Sequence, residues 1–373
     1  MHKLYLGDIL KDYKICVYAI SKNEEQFVKR WVDSMSEADK IIVLDTGSDD
    51  NTVNLLKDYG VEVYEKKITP WRFDVARNIS LSLVPKEYDI CLCVDLDEVF
   101  EKGWREKLLS VWDDTVTRVR YTYNWSFDEY GKPATTFLAN KIHKRDNYKW
   151  THPVHEVLTP INEEKEIVCK DLILNHYPDK TKSRGSYLSL LELSVKEDPE
   201  DDRTMHYLGR EYMYYLKWDK CIETLKKHLN LKNATWKDER AASMRFIARS
   251  YRALKSNNDA ILWYQKAIEE APYLREGYVE LGYLYYEDGL FDEAYKYLKK
   301  GLEIKEKSNS YINEEFAWNG FVYDLLSVCA FNLKYYDEAL ENVKKSLEFD
   351  KNNLRLQLNL EEMEKYVNKK SDN

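Results

Sequence analysis

Four short apolar runs separated by helical patterns restrict the first half of this chain to few folds. The runs are KICVYAI (14–20), KIIVLD (40–45), VEVYE (61–65) and DICLCV (89–94). Between the first two, Phe27, Trp31, Val32 and Met35 recur at helical spacing. Asp49-Asp50-Asn51 reads as the cap of a second helix reaching about Tyr59, and a third is read from Arg72 to Leu83. A strand that is apolar at successive positions is buried on both faces, and the intervening helices supply the cover. The expected architecture is therefore α/β, Rossmann-like, with a mostly parallel sheet. Ligands of such sheets lie beyond the carboxyl ends of the strands. Asp45 ends the second run, and Asp95 and Asp97 follow the fourth.

The second half obeys a different pattern. LGREY (208–212), IARSY (247–251) and LGYLY (281–285) line up, each followed by small or apolar residues. Ala248 to Gly282 and Ala260 to Ala294 both span 34 residues. This spacing resembles the tetratricopeptide repeat, in which small residues stand where two helices cross closely. The alternative is a helical bundle with no repeat. A degenerate fourth unit is read around Leu326, Ala330, Ala339 and Val343. Spacings of 39 and 45 residues on either side of the central pair imply insertions. The expected division is residues 1–180, 181–366 and a frayed polar tail, 367–373.

A net charge of −9 argues against broad binding to nucleic acid or anionic lipid. No apolar run approaches the ~20 residues that span a bilayer. The start, MHKLYLGDILKDYK, is too charged to read as a signal peptide. Six scattered cysteines in apolar surroundings read as reduced core residues of a cytoplasmic protein. Cys91 and Cys93 form C-x-C within a strand, which reads as packing rather than metal binding.

Four segments carry candidate chemistry. VLDTGSDDNT (43–52) is a strand, a small-residue turn and a capped helix, a loop suited to a polar ligand. VDLDE (94–98) ends a buried strand on three carboxylates, and Asp95 and Asp97 can meet one hard cation. WRFDVARN (71–78) offers Arg72 and Arg77 to an anion, or shows the charged face of an amphipathic helix. KWTHPVHEVL (149–158) and LILNHYP (172–178) hold His152, His155, Glu156 and His176. A neutral imidazole can ligate a metal and a carboxylate can accept a proton, whereas His143 and His152 read more simply as core histidines.

Taken in order, NEE (23–25), DTGSDDNT, FDVARN, VDLDE and VHE resemble the inverting glycosyltransferases of family 2, which have the GT-A fold. The resemblance covers roughly residues 14–180. With the repeat half, the layout is similar to bacterial members that glycosylate a peptide. The resemblance implies that Asp45 and Asp50 bind the nucleotide sugar, with Asp45 on the base or ribose, and that Arg77 lies near the diphosphate. It implies Asp95 near ribose and metal, Asp97 on the metal, and His155 or His176 as a further ligand. Glu156 is the candidate general base. Thr151-His152-Pro153 stands where relatives often carry a glycine. The implied donor is a UDP sugar, the cofactor Mn2+ or Mg2+ and the acceptor a peptide or protein. A homodimer through the repeats is a further expectation. Two alternatives differ in class: an inactive scaffold working through its repeats, and a nucleotidyltransferase. The latter is disfavoured because AISKNEE (19–25) lacks a glycine-rich phosphate loop.

Overall fold

The computed structural model describes residues 12–128, 130–179, 185–308 and 310–371. Residues 1–11, where no signal peptide was read, and 180–184, around the expected domain boundary, lie outside them. The chain forms two compact units that divide between Ser194 and Val195.

The first unit begins as expected: β1 (Ile15–Ser21), α1 (Glu25–Met35), β2 (Lys40–Asp45), α2 (Thr52–Asp58), β3 (Glu62–Glu65), α3 (Phe73–Leu83) and β4 (Ile90–Cys93). It continues through β5 (Glu98–Phe100), α4 (Trp104–Leu109), β6 (Arg118–Phe127), β7 (Pro133–Lys144), β8 (Tyr148–Thr151), β9 (Val157–Pro160) and β10 (Glu166–His176). Eight strands form one sheet in the order β3-β2-β1-β4-β7-β6-β10-β5. The pairings among β3, β2, β1 and β4 are parallel, as is β6 with β10. β7 runs antiparallel to both β4 and β6 and joins the two parallel parts.

The period of two along a strand sorts the apolar residues into two cores. Ile15, Val17, Ala19, Ile90 and Leu92 pack with Trp31 of α1 and Trp104 of α4. Cys16, Tyr18, Cys91 and Cys93 face the opposite way, towards Leu81 of α3 and Trp150. The C-x-C pair is thus core packing, and all six cysteines are free and buried. On α1 the buried residues are Phe27, Val28, Trp31 and Met35, with Val32 half-buried.

The second core holds a short polar relay. Trp150 Nε1 donates to the Tyr18 hydroxyl at 2.9 Å, and that hydroxyl lies 2.9 Å from His143 Nε2. His143 Nδ1 is 2.9 Å from the Lys144 carbonyl, so Nδ1 carries the proton and Nε2 accepts from Tyr18. Burial pushes His143 down from 6.5 to about 4. The unfolded chain therefore takes up this proton first. Stability is complete above about pH 6.5 and is lost as pH falls towards about 4, by on the order of 3 kcal/mol. Urea midpoints measured across that interval should show the loss, and His143→Gln should remove this part of the pH dependence.

The second unit is helical. After α5 (Tyr187–Glu197), which spans the division, come α6 (Asp202–Tyr214), α7 (Trp218–Asn230), α8 (Lys237–Ala253), α9 (Asn257–Glu270), α10 (Arg275–Glu287), α11 (Phe291–Glu303), α12 (Gly320–Asn332), α13 (Tyr336–Phe349) and α14 (Leu354–Ser371). Helices α6 to α13 pack as four successive pairs. The aligned motifs fall on α6, α8 and α10, the first helices of three pairs. The small residues Cys221, Ala260, Ala294 and Ala339 of the second helices are fully buried. A Cβ added to Gly209 would lie 2.2 Å from Leu225 Cδ2, and one on Gly282 would lie 2.7 Å from Leu298 Cγ. Gly209→Ala should therefore cost about 1–3 kcal/mol through overpacking, read as a lower urea midpoint for helical signal. Helix α14 continues to Ser371 through the segment from Val367 read as a tail; residues 372–373 are outside the described residues.

The 45-residue spacing accommodates an insertion between α11 and α12, of which residues 311–318 reach α8 and α10. Tyr311 donates to Glu239 of α8 at 2.5 Å. Glu314 accepts from Arg245 and Arg249, both at 2.5 Å. Trp318 donates to Glu276 of α10 at 2.9 Å, and Arg275 stacks on its ring. Residues 311–318 thus bond several charged side chains of α8 and α10.

Candidate active site

The carboxyl ends of β1 and β2 carry two interlocked loops. Asn23, at φ 56, donates its N–H to Ser48 Oγ, and its side chain accepts from Asp49 N–H. Glu24 N–H donates to Thr52 Oγ1, and Glu25 accepts from Asn51 N–H. The NEE and DTGSDDNT segments thus hold each other.

Asp45 organises the second loop. Its Oδ1 accepts the N–H groups of Gly47 and Ser48, and its Oδ2 accepts the hydroxyls of Ser21 and Ser48. It is 2% exposed. These four bonds hold the carboxylate in place within the loop expected to meet the base or ribose. Asp50 accepts from Thr52 N–H and hydroxyl and from Glu25 N–H. It caps α2 and ties it to the start of α1. Asn51, expected to cap, makes no such side-chain bond.

Beyond β4 the chain turns from Asp95 to Glu98. Glu98 N–H donates to the Asp95 carbonyl, and Asp95 N–H to Glu98 Oε2. The Glu98 side chain is buried, where Tyr123 and Lys141 both donate to its Oε1. Burial raises its carboxyl above the ordinary value, against the pull of Lys141. Asp95 takes a bidentate bond from Arg77, at 2.8 and 3.0 Å, and a third from Lys141 at 3.0 Å. Burial works to raise Asp95, but Arg77 and Lys141 prevail and hold it well below the usual carboxylate range.

Arg77 also donates through Nε to Glu156, and its guanidinium lies over the Trp150 ring. Arg77, expected near the diphosphate, has a buried side chain whose guanidinium bridges Asp95 and Glu156. Arg72, the second arginine of that segment, pairs with Asp74 of its own helix. Asn78 exchanges hydrogen bonds with the Trp150 backbone, and Phe73 N–H donates to the Pro153 carbonyl. These bonds pin the 150–156 loop to α3. His152, in the stretch where relatives often carry glycine, takes the left-handed φ of 74, and His155 a φ of 51.

Asp97 faces the other way. Its Oδ2 lies 3.4 Å from His176 Nε2, and its carbonyl accepts Tyr177 N–H. His176 Nδ1 is 3.0 Å from the Trp125 carbonyl, which only accepts, so Nδ1 carries a proton and Nε2 is turned to Asp97. The imidazole stacks on Trp125 at 4.4 Å. Two ligands bound at about 2.0–2.2 Å on adjacent positions of one cation stand about 3 Å apart, so Asp97 and His176 fit a divalent ion. An oriented Nδ1–H is also the usual support of a ligating histidine. The expected further ligand is His155 or His176, and of the two it is His176 that stands beside Asp97. Among the described residues, Asp97, His155 and His176 do not form a group of three with ligand atoms within 4.8 Å. The pinned loop instead sets the His155 ring against Tyr187.

Lys141 and Trp125 were missed from the sequence. Lys141 sits in LANKIHK, where β7 shifts register against β6 between Ala139 and Ile142, so alternation along the run does not reveal that its ammonium reaches Asp95 and Glu98. Trp125 is 48% exposed beside His176, but no local pattern marks it.

Residues 16–161, within the first unit, match the model of glycosyl transferase family 2. Residues 276–308 and 322–353 match the tetratricopeptide repeat, so the second unit carries that module. The chain is similar to the SPbeta prophage-derived glycosyltransferase SunS of Bacillus subtilis (strain 168), at 26% identity over 56% of this chain and 51% of that protein. It is also similar to the TPR repeat-containing protein Synpcc7942_0270 of Synechococcus elongatus, at 22% identity over 55% of this chain and 53% of that one. The chain spans about half the length of these curated relatives. A crystal structure of MamA aligns at 24% identity with a TM-score of 0.37, covering 48% of this chain and 99% of that one. No helix among the described residues is long and apolar enough to cross a membrane.

Proposed function

We propose that this chain transfers a sugar from a UDP sugar to a peptide or protein side chain, with inversion at the anomeric carbon and dependence on a divalent cation. The observation that carries the reading is the Asp97–His176 pair at the carboxyl edge of a family 2 domain. Beside it stands an Asp95 kept ionised by Arg77 and Lys141. The donor would lie along the loops shaped by Asp45 and Asp50, with Asp95 towards the ribose.

In a single displacement, the bond between the anomeric carbon and the diphosphate oxygen breaks, and the electron pair leaves with the diphosphate. A bond from the acceptor oxygen or sulfur forms on the opposite face. Glu156 accepts the acceptor's proton, held in place by Arg77. When bound at Asp97 and His176, a divalent cation such as Mn2+ supplies positive charge to the leaving diphosphate. A thiol acceptor needs less help from Glu156, because thiolate forms nearer neutral pH.

The repeat unit supports a peptide or protein acceptor, or a second copy of the chain, as a partner. Because Tyr311 and Glu314 occupy Glu239, Arg245 and Arg249 of α8, an acceptor would engage other surface of the repeats or displace them.

Thermal unfolding of the whole chain with Mn2+ and a panel of nucleotide sugars tests the donor. A matching UDP sugar at about a hundred times its Kd adds about 2.7 kcal/mol and should raise Tm by several degrees. No shift with any nucleotide would favour the inactive scaffold.

A further inference from the structure

We propose that the helical unit holds its own structural divalent transition-metal ion, preferentially zinc, between Asp202, His228 and Glu239. Three consecutive helices contribute one residue each: Asp202 opens α6, His228 lies in the last turn of α7, and Glu239 lies in the first turn of α8. Their ligand atoms all lie within 4.8 Å of one another. This site does not depend on the transfer reading.

The geometry is that of ligands rather than of a hydrogen-bonded pair. His228 Nε2 and Glu239 Oε1 are 3.4 Å apart. The nitrogen is fully buried, and among the described residues no hydrogen bond satisfies it. Nitrogen and oxygen ligands bound at about 2.1 Å on a tetrahedral zinc ion stand about 3.4 Å apart. One oxygen of Asp202 lies within 4.8 Å of the ligand atoms of both His228 and Glu239. A cation there would offset the charge of both carboxylates.

The surroundings orient the ligands. His228 Nδ1 bonds Ser243 Oγ at 3.0 Å, and the same hydroxyl bonds His206 Nδ1 at 2.7 Å. This leaves Nε2 aimed at the carboxylates, as in metal sites where the second ring nitrogen is held. Tyr311 donates to the other oxygen of Glu239, so the ion would also fasten the chain at Tyr311. One imidazole and two carboxylates, one of them partly exposed, leave a fourth position for water. Such a set binds zinc more tightly than manganese.

The test is zinc titration by calorimetry on the full chain carrying Asp97→Asn, stripped with chelator, so that the transfer site does not contribute. One equivalent of zinc should bind, with a rise in Tm. Adding His228→Gln should abolish that equivalent, and adding Tyr311→Phe should weaken it about 10–100-fold. Should His228→Gln fail to fold by circular dichroism, Asp202→Asn, at the partly exposed ligand, should lose the equivalent instead. No uptake by the Asp97→Asn chain overturns the proposal. So does uptake unchanged by whichever of these two ligand variants folds.

Discussion

Asp97→Asn is expected to lower sugar transfer by about three orders of magnitude while leaving the protein folded. The substitution keeps the side chain's size and removes the charge that would hold a cation. Displaced oxyanions lose about 10²–10³ in rate when one positioned stabiliser is removed, and a lost Lewis acid adds to that. The Asp97 side chain is 25% exposed, and among the described residues its ion-pair partner is His176, at a long 3.4 Å. Stability should therefore change by no more than about 0.5 kcal/mol. Single-turnover transfer with a matched donor, set beside urea unfolding of the same variant, measures both effects. Chelation of wild type should reproduce the loss. Full turnover of the variant in metal-free buffer would falsify the cation's role.

Arg77→Met should have the largest effect on stability. The guanidinium is buried and joins Asp95 to Glu156. Removing it leaves two carboxylates at the site with only Lys141 in compensation, and breaking a buried pair in this way costs about 3–5 kcal/mol. Near-ultraviolet circular dichroism in urea should show the first unit unfolding at a lower midpoint, with the second unit's helical transition preserved. Arg77→Lys should recover only part of the loss, since an ammonium cannot bridge both carboxylates with a fork of donors. Equal midpoints for Arg77→Met and wild type would mean that the two carboxylates are already solvated.

Much of the fold was legible because it rests on local periodicity. The strands from β1 to β4 and helices α1, α2 and α3 were readable from apolar runs and stripes whose burial the structure bears out. The 34-residue spacing was readable because close helix crossings demand small residues at Gly209 and Gly282. Strands β6, β7 and β10 were harder. Their pairings shift register at Val119, Asn124 and Cys169, which breaks the alternation that marks a half-buried strand.

The sequence alone determined the two-part architecture and the placement of Asp45, Asp95 and Asp97 at strand ends, since both follow from where hydrophobic runs stop. Tertiary structure alone decided what each charge does. Arg77 and Lys141 come from a helix and a strand 18 and 46 residues away from Asp95. Only the packed sheet brings them within hydrogen-bond reach. The same packing turned Asp45 inward, set His155 against Tyr187 and left Asp97 to His176. A buried charge must find an opposite charge or hydrogen-bond partners. Which partner it finds depends on strand order and register, and neither is written in any local stretch of residues.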